Sequence, residues 1–454
     1  MDPSTTDAAR HFLQHGEAVP LAPPSLLRAG PLALAYAAGE LRQVALGAHV
    51  VWRRIYADVR DANWNTIPGV IGDERIDAAG DRFRVSFVST HQRNDIHFVW
   101  RGEITGAPDG AVRFEFDGEA KSAFRKSRIG FCVLHPLACA GQPAMAEYVS
   151  GDCVPVEFPR LVTPDQPVSG LHDLQAVSHE IQPGVRAEIR FSGDAFETED
   201  QRNWIDASFK TYCTPLRIPY PLEVKAGHRI RQTVTLRLLI AAPLKPAPTT
   251  ADEPAQTIQA SFRGGRPVPA LGLGTASHGG PLTARESGLL SALRCRHLRV
   301  DIRLDDSGWP VKLLAAANDA AALAAGLEVA VHVATGDPAP LGRLARELAG
   351  TVVRPVRILV YRVGKNSTDD ETLALARGAF ASLAVPIGAG TDADFYQLNT
   401  CRPPPARADL ICWSMNPQVH ACDRASVAET PTAIPVQIES ARAYYPGKPL
   451  VVSP

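Results

Sequence analysis

From about residue 32 to 241, hydrophobic and polar positions alternate with a period of two. Phe83, Val85 and Phe87 fall on one side of their segment, and Arg82, Arg84 and Ser86 on the other. Val112, Phe114 and Phe116 repeat the pattern against Arg113, Glu115 and Asp117, as do Ala187, Ile189 and Phe191 against Glu188 and Arg190. In Arg229–Ile240 the residues Ile230, Val234, Leu236 and Leu238 oppose Arg231, Thr233, Thr235 and Arg237. Such alternation belongs to strands with one face on a core and the other in water. Turn signals at Pro108-Asp109-Gly110, Pro183-Gly184 and Ala226-Gly227 separate them. The pattern predicts an antiparallel β-sandwich over 31–241, preceded by an extension over 1–30.

The run AAPLKPAPTTADEPAQ (241–256) carries four prolines and suits neither a central strand nor a helix. It predicts a linker over 242–262. Beyond it the period changes to strand, helix, strand. Short apolar runs at Val268–Thr275, His297–Leu304, Leu327–Ala334, Val356–Tyr361, Val385–Gly390, Leu410–Ser414 and Leu450–Ser453 read as strands one to seven. Thr283 with Glu286, and Thr368 with Glu371, have capping-box spacing at helix starts. Leu289, Leu290 and Leu293 give the first helix an apolar face, Leu341, Leu344 and Leu348 line a later one, and Leu373, Ala376 and Phe380 line the next. Pro310 and Gly326 bracket an alanine-rich helix. Short strands alternating with helices predict a (β/α)₈ TIM-like barrel over 263–454, truncated near strand seven. Gly272 and Gly274 are not followed by a G-x-G-x-x-G run, so the dinucleotide fingerprint is missing.

Composition narrows the function classes. The 454 residues carry 47 Lys plus Arg against 48 Asp plus Glu, so no basic excess favours nucleic acid as a partner. The first thirty residues lack a basic start followed by an apolar run, and no stretch reaches the roughly 18 apolar residues of a membrane span. A cytoplasmic protein with no membrane partner is the expectation, and a homo-oligomer is compatible with it. The eight cysteines show no C-x-x-C spacing, as reduced thiols would not need one. His278, His332, Asp392 and His420 lack the H-x-x-x-H or H-E-x-x-H spacings of a metal site, so no metal and no cofactor is expected.

In a barrel the chemistry sits at the C-terminal ends of the strands. Those ends hold His278 after strand one, Asp301, Arg303 and Asp305 on strand two, His332 on three, and Tyr361 and Asn366 at four. Asp392, Asp394 and Tyr396 follow strand five, and Trp413, Asn416 and His420 belong to strand six and its loop. Carboxylates and amides can bind hydroxyls, aromatics can cover a sugar ring, and an imidazole or carboxylate can move a proton. The sandwich half contributes Asp200, Asn203 and Trp204 within a segment dense in charges, amides and aromatics, Glu197–Tyr212. Each group has a plainer alternative: an Asp301–Arg303 ion pair, a core His332, turn caps at Asp305, Asp392 or Asp394, a surface His420, and a hydrogen-bonded corner at Glu197–Tyr212.

Four stretches carry a more specific signal: EDQRNWIDASFKTY (199–212), RRIYADVRDANW (53–64), GFCVLHP (130–136) and CWSMNPQVH (412–420). They resemble the D-apionate lactonase family, and the similarity spans roughly residues 30 to 454. The resemblance implies a β-rich N-terminal domain, a central TIM-like barrel and a further C-terminal domain. It also implies opening of the D-apionate lactone ring in bacterial apiose degradation, with a small-molecule sugar lactone as substrate. This chain departs from the pattern by stopping before the barrel and last domain are complete.

The expected reaction is hydrolytic. Water loses a proton to Asp392, Asp394 or His332 and attacks the lactone carbonyl, while Arg303, Asn416 or His420 stabilises the oxyanion or protonates the ring oxygen. Asp305, Asn366 and the amides near strand six would bind substrate hydroxyls. A glycoside hydrolase is the nearest enzymatic alternative, although strand four ends in Tyr361-Arg362 rather than an Asn-Glu pair. A non-catalytic carbohydrate-binding protein is the other.

Overall fold

A computed structural model describes residues 9–12, 16, 23–240 and 268–454. The linker expected over 242–262 lies outside the described residues. Two compact units emerge. The first holds the chain up to Arg202, the stretch from Asp206 to the end of the sheets, and Asp423–Ala433; the second holds Asn203–Ile205, the barrel strands to Cys422, and Ile434–Pro454.

In the first unit the alternating segments form one eight-stranded and one nine-stranded sheet, with antiparallel pairing throughout. The expected inward residues Phe83, Val85, Phe87, Val112, Phe114, Phe116, Ala187, Ile189 and Phe191 are all buried, and so are Val234 and Leu236. Aromatic edges and faces knit this core: Phe87 meets Trp100 at 5.1 Å and Phe114 meets Phe131 at 4.8 Å, both edge-on. Phe87 lies over its cross-strand partner Gly102, where a Cβ would come within 2.2 Å of the ring, so a side chain there would displace the core. The sandwich starts earlier than expected. Its first strand, Ser25–Ala29, falls inside the stretch read as an extension, because its alternation is too short to register as a pattern.

In the second unit seven parallel strands lie in sequence order: Gly272–Gly274, His297–Arg303, Gly326–Val333, Pro355–Arg362, Ile387–Gly390, Leu410–Trp413 and Leu450–Val452. This is the strand arrangement of a (β/α)₈ barrel left open between strands one and seven among the described residues. The helix lines Leu341, Leu344 and Leu348, and Leu373, Ala376 and Phe380, are buried as expected. Thr283 and Glu286 form a reciprocal capping box at the helix Ala284–Ser291.

Two local expectations are corrected. Leu289 and Leu293 are 65% and 57% exposed, because strand one offers only Gly-Leu-Gly for their helix to pack on. The cap of the helix Asp370–Ala379 is Asp369, whose carboxylate accepts from the Thr372 amide. Thr368 is buried instead, donating to the Val360 and Gly390 carbonyls and tying strand four to strand five.

Candidate active site at the strand ends of the barrel

Strands two to four stack their inward residues in tiers set by register. Arg299, Glu328 and Arg357 are neighbours in the lowest tier, Asp301, Ala330 and Leu359 in the middle, and Arg303, His332 and Tyr361 at the top. Strands five and six complete the interior differently. Gly390 lets the backbones of these strands close up, since a Cβ there would sit 1.8 Å from the Cys412 carbonyl oxygen. Leu410 and Cys412 join Ala330, Leu359 and Tyr361 in an apolar cluster. One wall of the barrel interior is therefore apolar and the other charged.

The charged wall ends in a compact group. His332 directs Nε2 at Asp301 Oδ1, 3.5 Å away, and Nδ1 at Asp392 Oδ2, 3.6 Å away. Both separations exceed a good hydrogen bond, leaving the imidazole room to tighten on either side when a ligand or water arrives. Its ring lies 5.3 Å from that of Tyr361, whose hydroxyl meets Cys412 Sγ at 3.5 Å. The two carboxylates are not equivalent. Arg299 grips Asp301 through Nε at 3.3 Å and Nη2 at 2.7 Å. Burial opposes ionisation of Asp301, but the long contact from His332, the hydrogen bonds from Arg299 and the positive charge of Arg299 outweigh it and hold the carboxyl well below its usual range. Asp301 is thus a fixed anion. The two side chains are equally open, 44% and 45% exposed, so the grip of Arg299 is what sets Asp301 apart from Asp392. Burial drives the Tyr361 phenol far above its ordinary range and raises the Cys412 thiol to about 12, so both stay protonated.

Arg303 stands beside His332 in register, is exposed, and pairs with Asp305 at 3.2 Å. The expected alternative pairing is therefore replaced: Asp301 is held by Arg299, two residues earlier on the same face. A second group forms around Asn203–Ile205. Trp204 stacks on Tyr396 at 4.9 Å and meets His420 edge-on at 5.3 Å, while Asn399 donates to Asn203 Oδ1 at 3.2 Å.

The other candidates lie elsewhere. Trp413 is fully buried and donates to Gln437, because its parity on strand six is opposite to Cys412 and turns it to the helices. Its ring has no face open to a ligand. His278 is exposed and accepts from the Gly280 amide, Asn416 is exposed and accepts from the Gln418 amide, and Asn366 is exposed on the loop after strand four. Asp394 occupies the N-cap position of the helix Phe395–Cys401. Asp200, in the first unit, is fully buried in an ion pair with Arg202. Among the described residues no cluster of three or more His, Cys, Asp or Glu side chains is set to hold a metal ion, and no helix is long and apolar enough to cross a membrane. Reading strand ends alone missed Arg299, Glu328 and Ser453. Their signal was present in the parity that Arg299 shares with Asp301 and Arg303.

An imidazole between two carboxylates, beside an arginine at the C-terminal edge of a barrel, is a group that can move a proton and face a developing negative charge. Comparison with known proteins makes the class specific. Residues 12–240 match the family described as D-apionate lactonase, N-terminal domain, and residues 271–454 match D-apionate lactonase, TIM barrel domain. A D-apionate lactonase of Brucella anthropi is 30% identical over 474 aligned positions, covering 98% of this chain and 74% of that protein. The chain belongs to the D-apionate lactonase family.

Solved structures resemble it only loosely. A Synechocystis protein matches at 10% identity and a TM-score of 0.33 over 49% of this chain and 99% of its own. A beta-arabinopyranosidase matches at 10% identity and 0.31 over 80% and 66%. Likenesses this distant carry no argument about function.

Proposed function

We propose that this protein hydrolyses D-apionolactone to D-apionate and that the group around His332 performs the reaction. Family membership supports the substrate class. The observation that carries the site is His332 held between Asp301 and Asp392 with Arg303 alongside. Asp301 is too weak a base to accept a proton from water, since its carboxyl is held so firmly ionised. Its part is to orient His332. The imidazole and Asp392 then take the proton as water attacks the lactone carbonyl. Arg303 faces the oxyanion that forms, turning from its exposed partner Asp305. Collapse of the tetrahedral intermediate breaks the ring C–O bond, and the proton held by the His332–Asp392 pair passes to the departing ring oxygen. The product is an open-chain hydroxy acid. Trp204 and Tyr396 are proposed to contact the sugar carbons, and Asn203, Asp305 and His420 its hydroxyls.

A glycosidase needs one carboxyl kept protonated as the acid. Asp301, held ionised, does not fill that role. The deciding experiment incubates the full chain with D-apionolactone, a panel of other sugar lactones and aryl glycosides. Acid release from D-apionolactone without aglycone release is expected. Aglycone release, or saturable sugar binding with no turnover of any lactone, would overturn the reading.

A further inference from the structure

Below the His332 group, the lower tier of the barrel is charged where an apolar filling would be cheaper. Glu328 is fully buried. Its carboxylate accepts from Arg357 Nε at 2.5 Å and from the Ser453 hydroxyl, and His297 Nε2 lies 3.5 Å away. Ser453, arriving from the far side of the curled sheet after strand seven, in turn accepts from Arg299 Nη1 at 2.9 Å. Arg299 is itself 5% exposed and is the group that grips Asp301. A continuous chain of contacts therefore runs Glu328, Ser453, Arg299, Asp301, His332.

The charges balance along it. Arg299 and Arg357 face Asp301 and Glu328, while burial first, and the Arg357 charge next, lower the pKa of His297 and favour its neutral form. Burying Glu328 and Arg299 as charges gains little stability over a well-packed apolar core, so fixing the position of a charge is the role such an arrangement can serve. Here the charge that is fixed is Arg299, which has one face for Asp301 and another for Ser453. Without the second contact the guanidinium is held only by Asp301 and the Tyr361 ring, 5.9 Å away, and its bidentate geometry loosens.

We propose that Ser453 and Glu328 are positioning residues for the lactonase reaction, fixing Arg299 so that Asp301 holds His332 in its working orientation. The proposal rests on the reading that His332 and Asp392 carry out the proton transfer. Neither residue reaches substrate; both act through Arg299. The groups facing the Asp301–His332 pair are Arg299 and Arg303 from strand two, Tyr361 from strand four, Asp392 after strand five and Cys412 from strand six. Of these, Arg299 makes the closest contact with Asp301 and is the one that Ser453 holds. Loosening it costs His332 its orientation, so the loss should fall on turnover rather than on binding.

The test measures kcat and KM of D-apionolactone hydrolysis for the full chain and for Ser453→Ala, Ser453→Thr and Glu328→Gln. Ser453→Ala is expected to lower kcat about tenfold or more with KM nearly unchanged, the scale of a small misplacement in a catalytic group. Ser453→Thr, which restores the hydroxyl, should recover most of that loss. Wild-type kcat in Ser453→Ala, or a threonine variant no better than alanine, would overturn the proposal. Ser453→Ala decides the matter if Glu328→Gln does not fold. Asp392→Asn and His332→Ala, run alongside, separate the two failures. If they too keep turnover, the site reading has failed; if they lose it while the Ser453 variants do not, the positioning role alone has failed.

Discussion

Two regions of this molecule are equally rich in charge, and they do different things. The segment Glu197–Tyr212 of the sandwich unit holds Asp200 and Arg202, both with fully buried side chains. Arg202 donates to both Asp200 oxygens and to the carbonyls of Pro159, Arg160 and Leu161. Glu197 accepts from Tyr212 and the Leu216 amide, and Lys210 from the same segment pairs with Glu199. Nearly every bond such groups can make is made, as burial requires. At the barrel mouth, by contrast, His332 has long contacts to two carboxylates whose side chains are 44% and 45% exposed. Polar density therefore does not mark a reactive centre. The site proposed at the barrel mouth differs in its incomplete pairing beside a rigidly held neighbour.

Mutations should separate the regions by readout. His332→Ala is expected to lower kcat by ~10²–10⁴, the usual range for a general acid–base group, while leaving the melting temperature nearly unchanged. A variant that melts early instead would make His332 a structural residue like Arg202. Arg202→Ala should do the reverse. Leaving the Asp200 carboxylate buried and unpaired should cost about 3–5 kcal/mol of stability in denaturant titration. Stability unchanged within 1 kcal/mol would mean that water reaches the site, and the contrast with the barrel mouth would lose its basis.

The sandwich should also show its burial through pH. Burial lowers the pKa of His135 to about 3, with the neighbouring His179 adding to it, and lowers His179 to about 4, with Arg186 adding. Unfolded, both take up protons near 6.5. Between those values the unfolded chain binds more protons than the folded one, so stability is full above pH 6.5 and falls as pH drops towards 4. The expected slope is about 1.4 kcal/mol per pH unit for each histidine. A flat stability curve between pH 7 and 4.5 would contradict it. The smallest effect belongs to the edge of the barrel, where Thr283→Ala should cost ~1 kcal/mol through its lost cap, read as faster amide exchange in Ala284–Ser291. Unchanged exchange would show that this exposed helix frays regardless of its cap.

Much of the architecture was legible because each half has one dominant period. Alternation at Phe83, Val85 and Phe87 can be satisfied only by a half-buried strand, and apolar runs between capped helices only by a parallel sheet. The site was legible less evenly. His332, Asp301, Asp392 and Arg303 stand together because strand ends in a barrel converge by geometry, a property of the fold rather than of any motif. Asn416, Asn366 and His278 sit on loops, whose direction no periodicity fixes. Trp413 was misplaced as a ligand-facing ring although its parity with Ile411 turns it outward. Arg299, Glu328 and Ser453 were overlooked because they lie a tier below the mouth, where barrel interiors are ordinarily apolar.

The account stands most directly on Asp392, the carboxylate at the Nδ1 side of His332. Steady-state hydrolysis of D-apionolactone by Asp392→Asn, in the full chain, measures its part without changing volume. A loss of kcat of ~10²-fold or more at unchanged melting temperature is predicted. Wild-type turnover in this variant would contradict the assignment of proton transfer to the His332–Asp392 pair.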